Sequence, residues 1–582
     1  MNALPEWDLT DLYASKESLD FKKEISQLEL KVIHFCKNYK GKLSKISSKK
    51  IEEVIVEYEE IEEILNKIKS FCYLLYCTQQ TNDEISVFYQ KTTEDLVRIE
   101  SKILFFGLEI NKISQSIINS MKNSKYFPWI ENYRKFKKFQ KNESVEKILL
   151  DKNLTSCSSW IRLFDETMAR IKFDYKGKKI SESKILNYLS SSKQDERKNA
   201  AIGFGKGLKD NIHLFSLITN TLSKDLDIDN KIRGFKYSES FRHLSNQVSK
   251  EDVDCLAETV VNNYEALAHR YYRYKSKVFG VNKLDYWDRN APYPNQKKIN
   301  FSWSEARKLV LKSYSKFDKR ISDIVELFFK NNWIHASIVN GKTSGAFAHP
   351  TVPSVHPYIL LNYQNNHRDV MTLAHELGHG VHQYLANSQG CLLSDTPLTL
   401  AETASVFGEM LTFKYMYEQA SSSQLKRTIL RSKIEDMLNT VVRQISFFRF
   451  EKEVHNKRIS GELSVDDINN IWISTQSESL GNSIRLNGNY KYFWAYIPHF
   501  IHSPYYVYAY AFGDCLVNSL YSKYEEGFDN FNDKYITLLC SGGSKNYKSL
   551  LSEFDLNPNQ KNFWQGGLNL VKNMITQLES LD

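Results

Sequence analysis

The segment Val370-Met371-Thr372-Leu373-Ala374-His375-Glu376-Leu377-Gly378-His379-Gly380-Val381-His382-Gln383 is the part of the chain best equipped for chemistry. It contains His375-Glu376-x-x-His379. Four residues of helix turn through about 400°, so both imidazoles face one side, one turn apart. That spacing suits two ligands of a tetrahedral zinc ion. Glu376 sits about 100° round the helix from His375, where its carboxylate reaches a water at the metal without being a ligand. Val370, Leu373, Leu377, Val381 and Leu385 form the opposite stripe and anchor the helix in a core. Gly378 and Gly380 each cost a helix about 1 kcal/mol relative to Ala. Two such costs in an apolar-striped helix predict that something approaches the backbone closely.

A catalytic zinc needs a third protein ligand. A third histidine ten residues after His375 would fall on Leu385, so the three-histidine pattern with that spacing is excluded. A glutamate on a following helix is the alternative. Thr399-Leu400-Ala401-Glu402-Thr403-Ala404-Ser405-Val406-Phe407-Gly408-Glu409-Met410 offers Glu402 and Glu409, seven apart and on one face. Ala401, Ala404, Ser405 and Gly408 are small enough for another helix to pack closely. Thr399-x-x-Glu402 also reads as a capping box, which would leave Glu402 satisfying a helix N-terminus. Spacing leaves ligand and cap equally open. Glu409 could be the ligand instead, or accept a hydrogen bond from a metal-bound imidazole. Farther on, Tyr505, Tyr506, Tyr508 and Tyr510 crowd beside His499 and His502. Phenol and imidazole donors suit charge developing on a tetrahedral intermediate. An aromatic core helix is the plainer reading of the same residues. His382 shares the stripe of His375 and His379 and is expected to pack behind them. His349, His356 and His367 cluster upstream without an assignable role.

The elements that must position these groups are mostly helices. Of 582 residues, 23 are Gly and 11 are Pro, well below the usual share of about 12%. Few turn formers imply few turns, which disfavours sandwiches and propellers. Residues 18–122 repeat apolar positions at helical spacing, as in Ile51, Val54, Ile55, Tyr58, Ile61, Ile64 and Leu65, and predict an antiparallel helical array. Residues 138–153 are polar and Lys-rich and read as a linker. Residues 238–246 read as a loop. Gly341, Gly345, Pro350, Pro353 and Pro357 precede Tyr358-Ile359-Leu360-Leu361-Asn362-Tyr363, the clearest strand signal. A second irregular stretch runs over residues 477–496. Domains are expected at 1–190, with a sub-boundary near 115–150, and at 191–582.

The net charge of +9 is small for this length and matches a lysine-rich solvated surface, not a nucleic-acid binder. Eight scattered cysteines without a C-x-x-C fit a reducing cytoplasm. The first eight residues lack the basic and apolar regions of a secretory signal, and no apolar run is long enough to span a bilayer.

His375-Glu376-x-Gly378-His379-x-x-His382 followed by Glu402-Thr403-Ala404-Ser405-x-x-Gly408-Glu409 resembles the oligopeptidase F branch of the thimet-type (M3) zinc metallopeptidases. The likeness extends along the chain. Trp7-Asp8-Leu9-Thr10-Asp11-Leu12-Tyr13, Lys231-Ile232-Arg233-Gly234-Phe235, Asp288-x-x-Ala291-Pro292, Ser344-Gly345-Ala346-Phe347 and Ile497-Pro498-His499-Phe500 all look like stretches of that family. The resemblance implies a mainly α, two-lobed helical zincin-type metallopeptidase, with a small β-sheet next to the active-site helix and a deep substrate channel. It implies one zinc ion per chain held by His375, His379 and Glu402, with Glu376 as general base. It assigns His499, Tyr505 and Tyr508 to the scissile carbonyl and oxyanion, and Tyr358–Tyr363 could pair with the substrate backbone. The expected activity is cleavage of internal bonds in short unstructured peptides by a cytoplasmic monomer without nucleic-acid or membrane partners. The alternatives are an exopeptidase on the same site and a catalytically inactive helical peptide-binding protein.

Overall fold

The computed structural model describes residues 4–294 and 300–581; residues 1–3, part of the opening segment read above for a leader, lie outside them. The protein is mainly helical, with three small sheets among the described residues. None of the described helices is long and apolar enough to cross a membrane. All eight cysteines are free thiols.

The chain forms two compact units, each assembled from three separated stretches. The first comprises Met1–Lys137, Lys298–Gln419 and Lys523–Leu556; the second comprises Lys138–Lys297, Ala420–Ser522 and Asn557–Asp582.

In the first unit, α1 (Leu19–Tyr39), α2 (Ser48–Thr78) and α3 (Asp83–Lys112) form the expected array. Each starts at a side-chain cap: Ser18, Ser47 and Asn82 accept backbone N–H groups of the first turn. Leu28, Val32, Ile51, Val54, Ile55 and Ile99 are fully buried along the shared faces. Helices α4 (Trp303–Phe317) and α5 (Lys319–Lys330) lead into a three-stranded sheet of β1 (Ile334–His335), β2 (Phe347–His349) and β3 (Tyr358–Leu360). Strand order is β1-β3-β2, with β3 parallel to β1 and antiparallel to β2. The predicted strand is therefore the central one. It is buried and paired on both sides, so it cannot add a substrate strand; β2 is the edge. The N-terminal segment straps this sheet: the Ala336 N–H donates to the Pro5 carbonyl and the Tyr358 hydroxyl to the Asp8 carbonyl. Helices α6 (His367–Ala386) and α7 (Thr403–Gln419) complete the part of this unit that carries the motif.

Two loop expectations were incorrect. In the second unit, residues 143–153 form a helix, because the Asn142 side chain caps the Val145 N–H. Ser240–Ser245 is a short helix too. The irregular stretch expected over 477–496 begins only after Leu480: Gly481, with φ 71°, ends helix Val465–Leu480, and a 3₁₀ segment follows over Gly488–Tyr496.

Candidate active site

Helix α6 is fixed before its chemistry begins. The Asn366 side chain caps the Asp369 N–H and Asp369 accepts the Asn366 N–H in return, a reciprocal cap. Val370, Leu373, Leu377 and Val381 are at most 1% exposed, and each contributes on the order of 2 kcal/mol through burial. Leu385, the last member of the predicted stripe, is only half-buried.

The glycines do what their cost implied. A Cβ on Gly378 would lie 2.3 Å from the Ala404 carbonyl oxygen and 2.5 Å from Ser405 Cα, so α6 and α7 cross backbone to backbone there. Gly380 faces the Phe328 ring of α5. On α7, Gly408 leaves room for the Tyr314 hydroxyl of α4, which donates to the Ala374 carbonyl on α6 at 2.8 Å. Tyr314 ties three helices together, and no sequence pattern pointed to it.

The crossing brings three ligand atoms to one point. His375 Nε2 and His379 Nε2 are 3.1 Å apart, and Glu402 Oε2 is 3.5 Å from each. A tetrahedral ion with bonds of about 2.0–2.1 Å separates its ligands by about 3.3 Å, so this donor set fits a zinc ion. Glu402 does not complete a capping box with Thr399. It stands between the short helix Leu398–Ala401 and α7, Thr399 Oγ1 has no hydrogen-bond partner among the described residues, and Glu402 Oε2 accepts from Ser405 Oγ at 2.6 Å. Glu409 resolves its own alternatives: its carboxylate lies 2.6 Å from His375 Nδ1. Accepting that N–H fixes the tautomer that turns the Nε2 lone pair toward the other two ligands.

Electrostatics favour a dication. Burial pulls both imidazoles down, but Glu409 holds His375 above its ordinary value, to about 9, while His379 falls to about 4. Glu376, 7% exposed, is pushed up to about 7 by burial, despite His375 and an N–H from Ala348 of β2, with Glu402 and Glu409 raising it further. Three carboxylates thus surround one histidine pair. A cavity of about 340 Å³ opens on Glu376, His375 and His379 and is walled by Ala348 and Pro350. His382, 3% exposed and kept neutral by burial, lines the same cavity.

The aromatic cluster belongs to the second unit. Tyr505 is 1% exposed; its hydroxyl donates to Ser238 Oγ at 2.7 Å and its N–H to Glu451 at 2.9 Å. Its backbone sits at φ 61°, a conformation rare for an aromatic residue. Tyr508 is fully buried, its hydroxyl 3.0 Å from His243 Nδ1 and 2.9 Å from Asn246 Nδ2. Both hydroxyls are hydrogen-bonded inside the core of the second unit. Tyr510 is half-buried instead, with its hydroxyl 3.1 Å from His499 Nε2. Tyr506 is half-buried and its ring stacks beside His499. Burial lowers the His499 pKa, helped by His502 and Arg443. The eleven-residue spacing from His499 to Tyr510 carries no period that would single out Tyr510. Ala348 was missed for a different reason: its contribution is a backbone N–H, which sequence does not display.

Comparison with known proteins agrees along the whole chain. The profile of Peptidase family M3 matches residues 187–570, and that of Oligopeptidase F matches residues 109–173. An oligoendopeptidase F homolog of Borreliella burgdorferi is 28% identical over 596 residues, covering 100% of this chain and 99% of the relative. Oligopeptidase PepF of Bacillus subtilis is 26% identical over 559 residues, covering 93% and 81%. Among solved structures, one from Chlamydophila abortus superposes with a TM-score of 0.87 at 22% identity, covering 99% of this chain and 98% of that one. Oligoendopeptidase-F of Enterococcus faecium gives 0.72 at 17% identity, covering 97% and 98%. At those identities the structures speak for the fold.

Proposed function

The chain belongs to peptidase family M3, in its oligopeptidase F branch, and from that premise we propose that it is a zinc-dependent endopeptidase acting on short unstructured peptides. The observation that carries this reading is the convergence of His375, His379 and Glu402 at tetrahedral spacing, in one cavity with the Glu376 carboxylate. When bound there, zinc supplies Lewis acidity, making a water acidic and polarising a carbonyl. Glu376 takes the proton of the attacking water and passes it to the amine of the leaving peptide, a task suited to a carboxyl poised near neutral pH. Glu409 holds His375 in the ligating tautomer. His499 and Tyr510 are our assignment for the donors to the carbonyl oxygen, in place of Tyr505 and Tyr508. We assign it one zinc per chain and monomeric action, a reading with which a site drawn from one chain is compatible, and eight free thiols suit a cytoplasmic setting.

Wild type and Glu376→Gln, assayed for zinc content and for cleavage of an internally quenched peptide blocked at both ends, test the proposal. Retention of about one zinc with a rate loss of about a hundredfold or more supports it. Cleavage restricted to peptides with a free terminus gives the site to an exopeptidase. Absence of both zinc and turnover defeats the assignment.

A further inference from the structure

A second, larger cavity of the first unit is not used by this mechanism. It measures about 890 Å³ and lies against α2, α3, the turn after β2 and residues 391–395. It adjoins the catalytic cavity, with which it shares Pro350, Gln383 and Asp395 as walls. Its volume suits one or two side chains of a ligand.

The lining is unbalanced in charge. Glu62, Glu100 and Asp395 contribute carboxylates, and Lys69 is the one cation among the described residues that lines it. Lys69 is committed to Glu100 at 2.9 Å. Glu62 and Asp395 are left without an ion pair among the described residues, and burial raises both carboxyls. Ser394 lines the same cavity while only 6% exposed, and its hydroxyl has no hydrogen-bond partner among the described residues. Tyr73 and Tyr89 supply aromatic walls. Carboxylates beside aromatic faces and a spare hydroxyl are the chemistry that recognises an ammonium or guanidinium group.

Direction comes from the sheet. β2 is an edge strand, and the Ala348 N–H turns to Glu376 in the catalytic cavity. A peptide laid antiparallel along that edge runs from the His349–Pro350 end toward Phe347. Its part N-terminal to the cleaved bond then passes His349 and Pro350, which line the larger cavity.

We infer that this cavity is a substrate subsite, formed around Glu62, Asp395 and Ser394, that takes a cationic group on the N-terminal side of the cleaved bond. The subsite presupposes the peptidase reading above. Its cation is either the free α-ammonium of the peptide or a Lys or Arg side chain, and two arms of one experiment separate them.

Internally quenched peptides are compared that differ only in Lys against norleucine N-terminal to the cleaved bond, and separately in a free against an acetylated amino terminus. Wild type is expected to favour one cationic member by about tenfold in kcat/KM, as a part-buried charged hydrogen bond warrants. Glu62→Gln together with Asp395→Asn should bring that ratio near one, and Glu62→Lys should invert it. Circular dichroism confirms that each variant is folded. A wild-type ratio of one in both arms overturns the inference, as does a ratio that survives in the double variant. Turnover of the neutral peptide reports separately on the peptidase reading. If no peptide is cut, anisotropy of fluorescein-labelled cationic and neutral peptides on Glu376→Gln protein reads the same preference by binding.

Discussion

Replacing Gly378 by Ala isolates the helix crossing from the ligands it positions. The new methyl would lie 2.3 Å from the Ala404 carbonyl oxygen, where ordinary contact needs 3.4 Å or more. Helices α6 and α7 must therefore separate by about 1 Å at that point, since the obstacle is backbone. Glu402 immediately precedes α7, two residues before Ala404 at the crossing, and moves with it. Its 3.5 Å distance to each imidazole already sits at the upper edge of what a tetrahedral ion spans, and a further 1 Å exceeds bonds of about 2.0–2.2 Å. The fold suffers less than the site. Over-packing costs about 1–3 kcal/mol, offset by about 1 kcal/mol of helix propensity. Zinc affinity measured against a chromogenic chelator should fall by at least about a hundredfold, beyond the loss of one supporting hydrogen bond. The metal-free protein should melt within a few degrees of wild type. Gly566→Ala is the matched control: it lies in helix Lys561–Ser580, its Cβ would meet only Ser519 Oγ at 3.7 Å, and it should stabilise by up to about 1 kcal/mol. A Gly378→Ala protein that binds zinc as tightly as wild type would refute the claim that this crossing sets the ligand geometry.

Three further outcomes are expected. Glu409→Gln keeps the shape of the side chain but removes the carboxylate at His375 Nδ1, so zinc affinity measured by the same competition should drop about tenfold to a hundredfold. Tyr510→Phe should lower kcat by about 10²–10³ with little change in KM, whereas Tyr508→Phe should leave kcat nearly intact and cost about 1–2 kcal/mol in denaturant unfolding; the reverse pattern would restore Tyr508 to the site. Glu451 is fully desolvated, and burial raises its carboxyl to about 8 despite the Tyr505 N–H. The folded state then holds a proton that the unfolded state releases above its ordinary value of 4.5. Stability should therefore fall as pH rises from there to about 8, by up to about 1.4 kcal/mol per unit. Glu451→Gln should flatten that part of the profile in urea titrations at several pH values; an unchanged slope would assign it to another group.

The sequence displayed the groups whose spacing has a period and hid those that depend on what lies across a gap. His375, Glu376 and His379 were legible because one helix turn sets their relation. The two glycines were legible as a cost without a visible return, and the α6–α7 crossing is that return. Glu402 was ambiguous because a capping box and a ligand use the same local letters; only the break in the helix before Thr403 separates them. The partners of Tyr505 and Tyr508 were not legible, because a run of tyrosines does not say which hydroxyl faces inward. That is decided by distant partners such as Ser238, His243 and Asn246. The strand at Tyr358 was found but its place was not, since strand order depends on which segments pair. Residues 143–153 and 240–245 show polar composition losing to local capping and tertiary packing.

The chain passes between its two units at five points, after residues 137, 297, 419, 522 and 556. This weave has a consequence for biosynthesis. Helices α1 to α3 contact one another locally and can gather as soon as they are made. The N-terminal strap must wait for its sheet partners at residues 334–360, and the candidate metal ligands wait still longer, because Tyr535, whose hydroxyl holds the Thr403 carbonyl beside Glu402, is translated near the end. A ribosome making this protein therefore carries a partly collapsed first unit through most of elongation. At about 5–20 residues per second that exposure lasts tens of seconds. Neither unit can be excised as one contiguous fragment, and a chain cut short before residue 556 lacks part of the first unit. Premature termination should yield aggregation-prone debris rather than a half-enzyme.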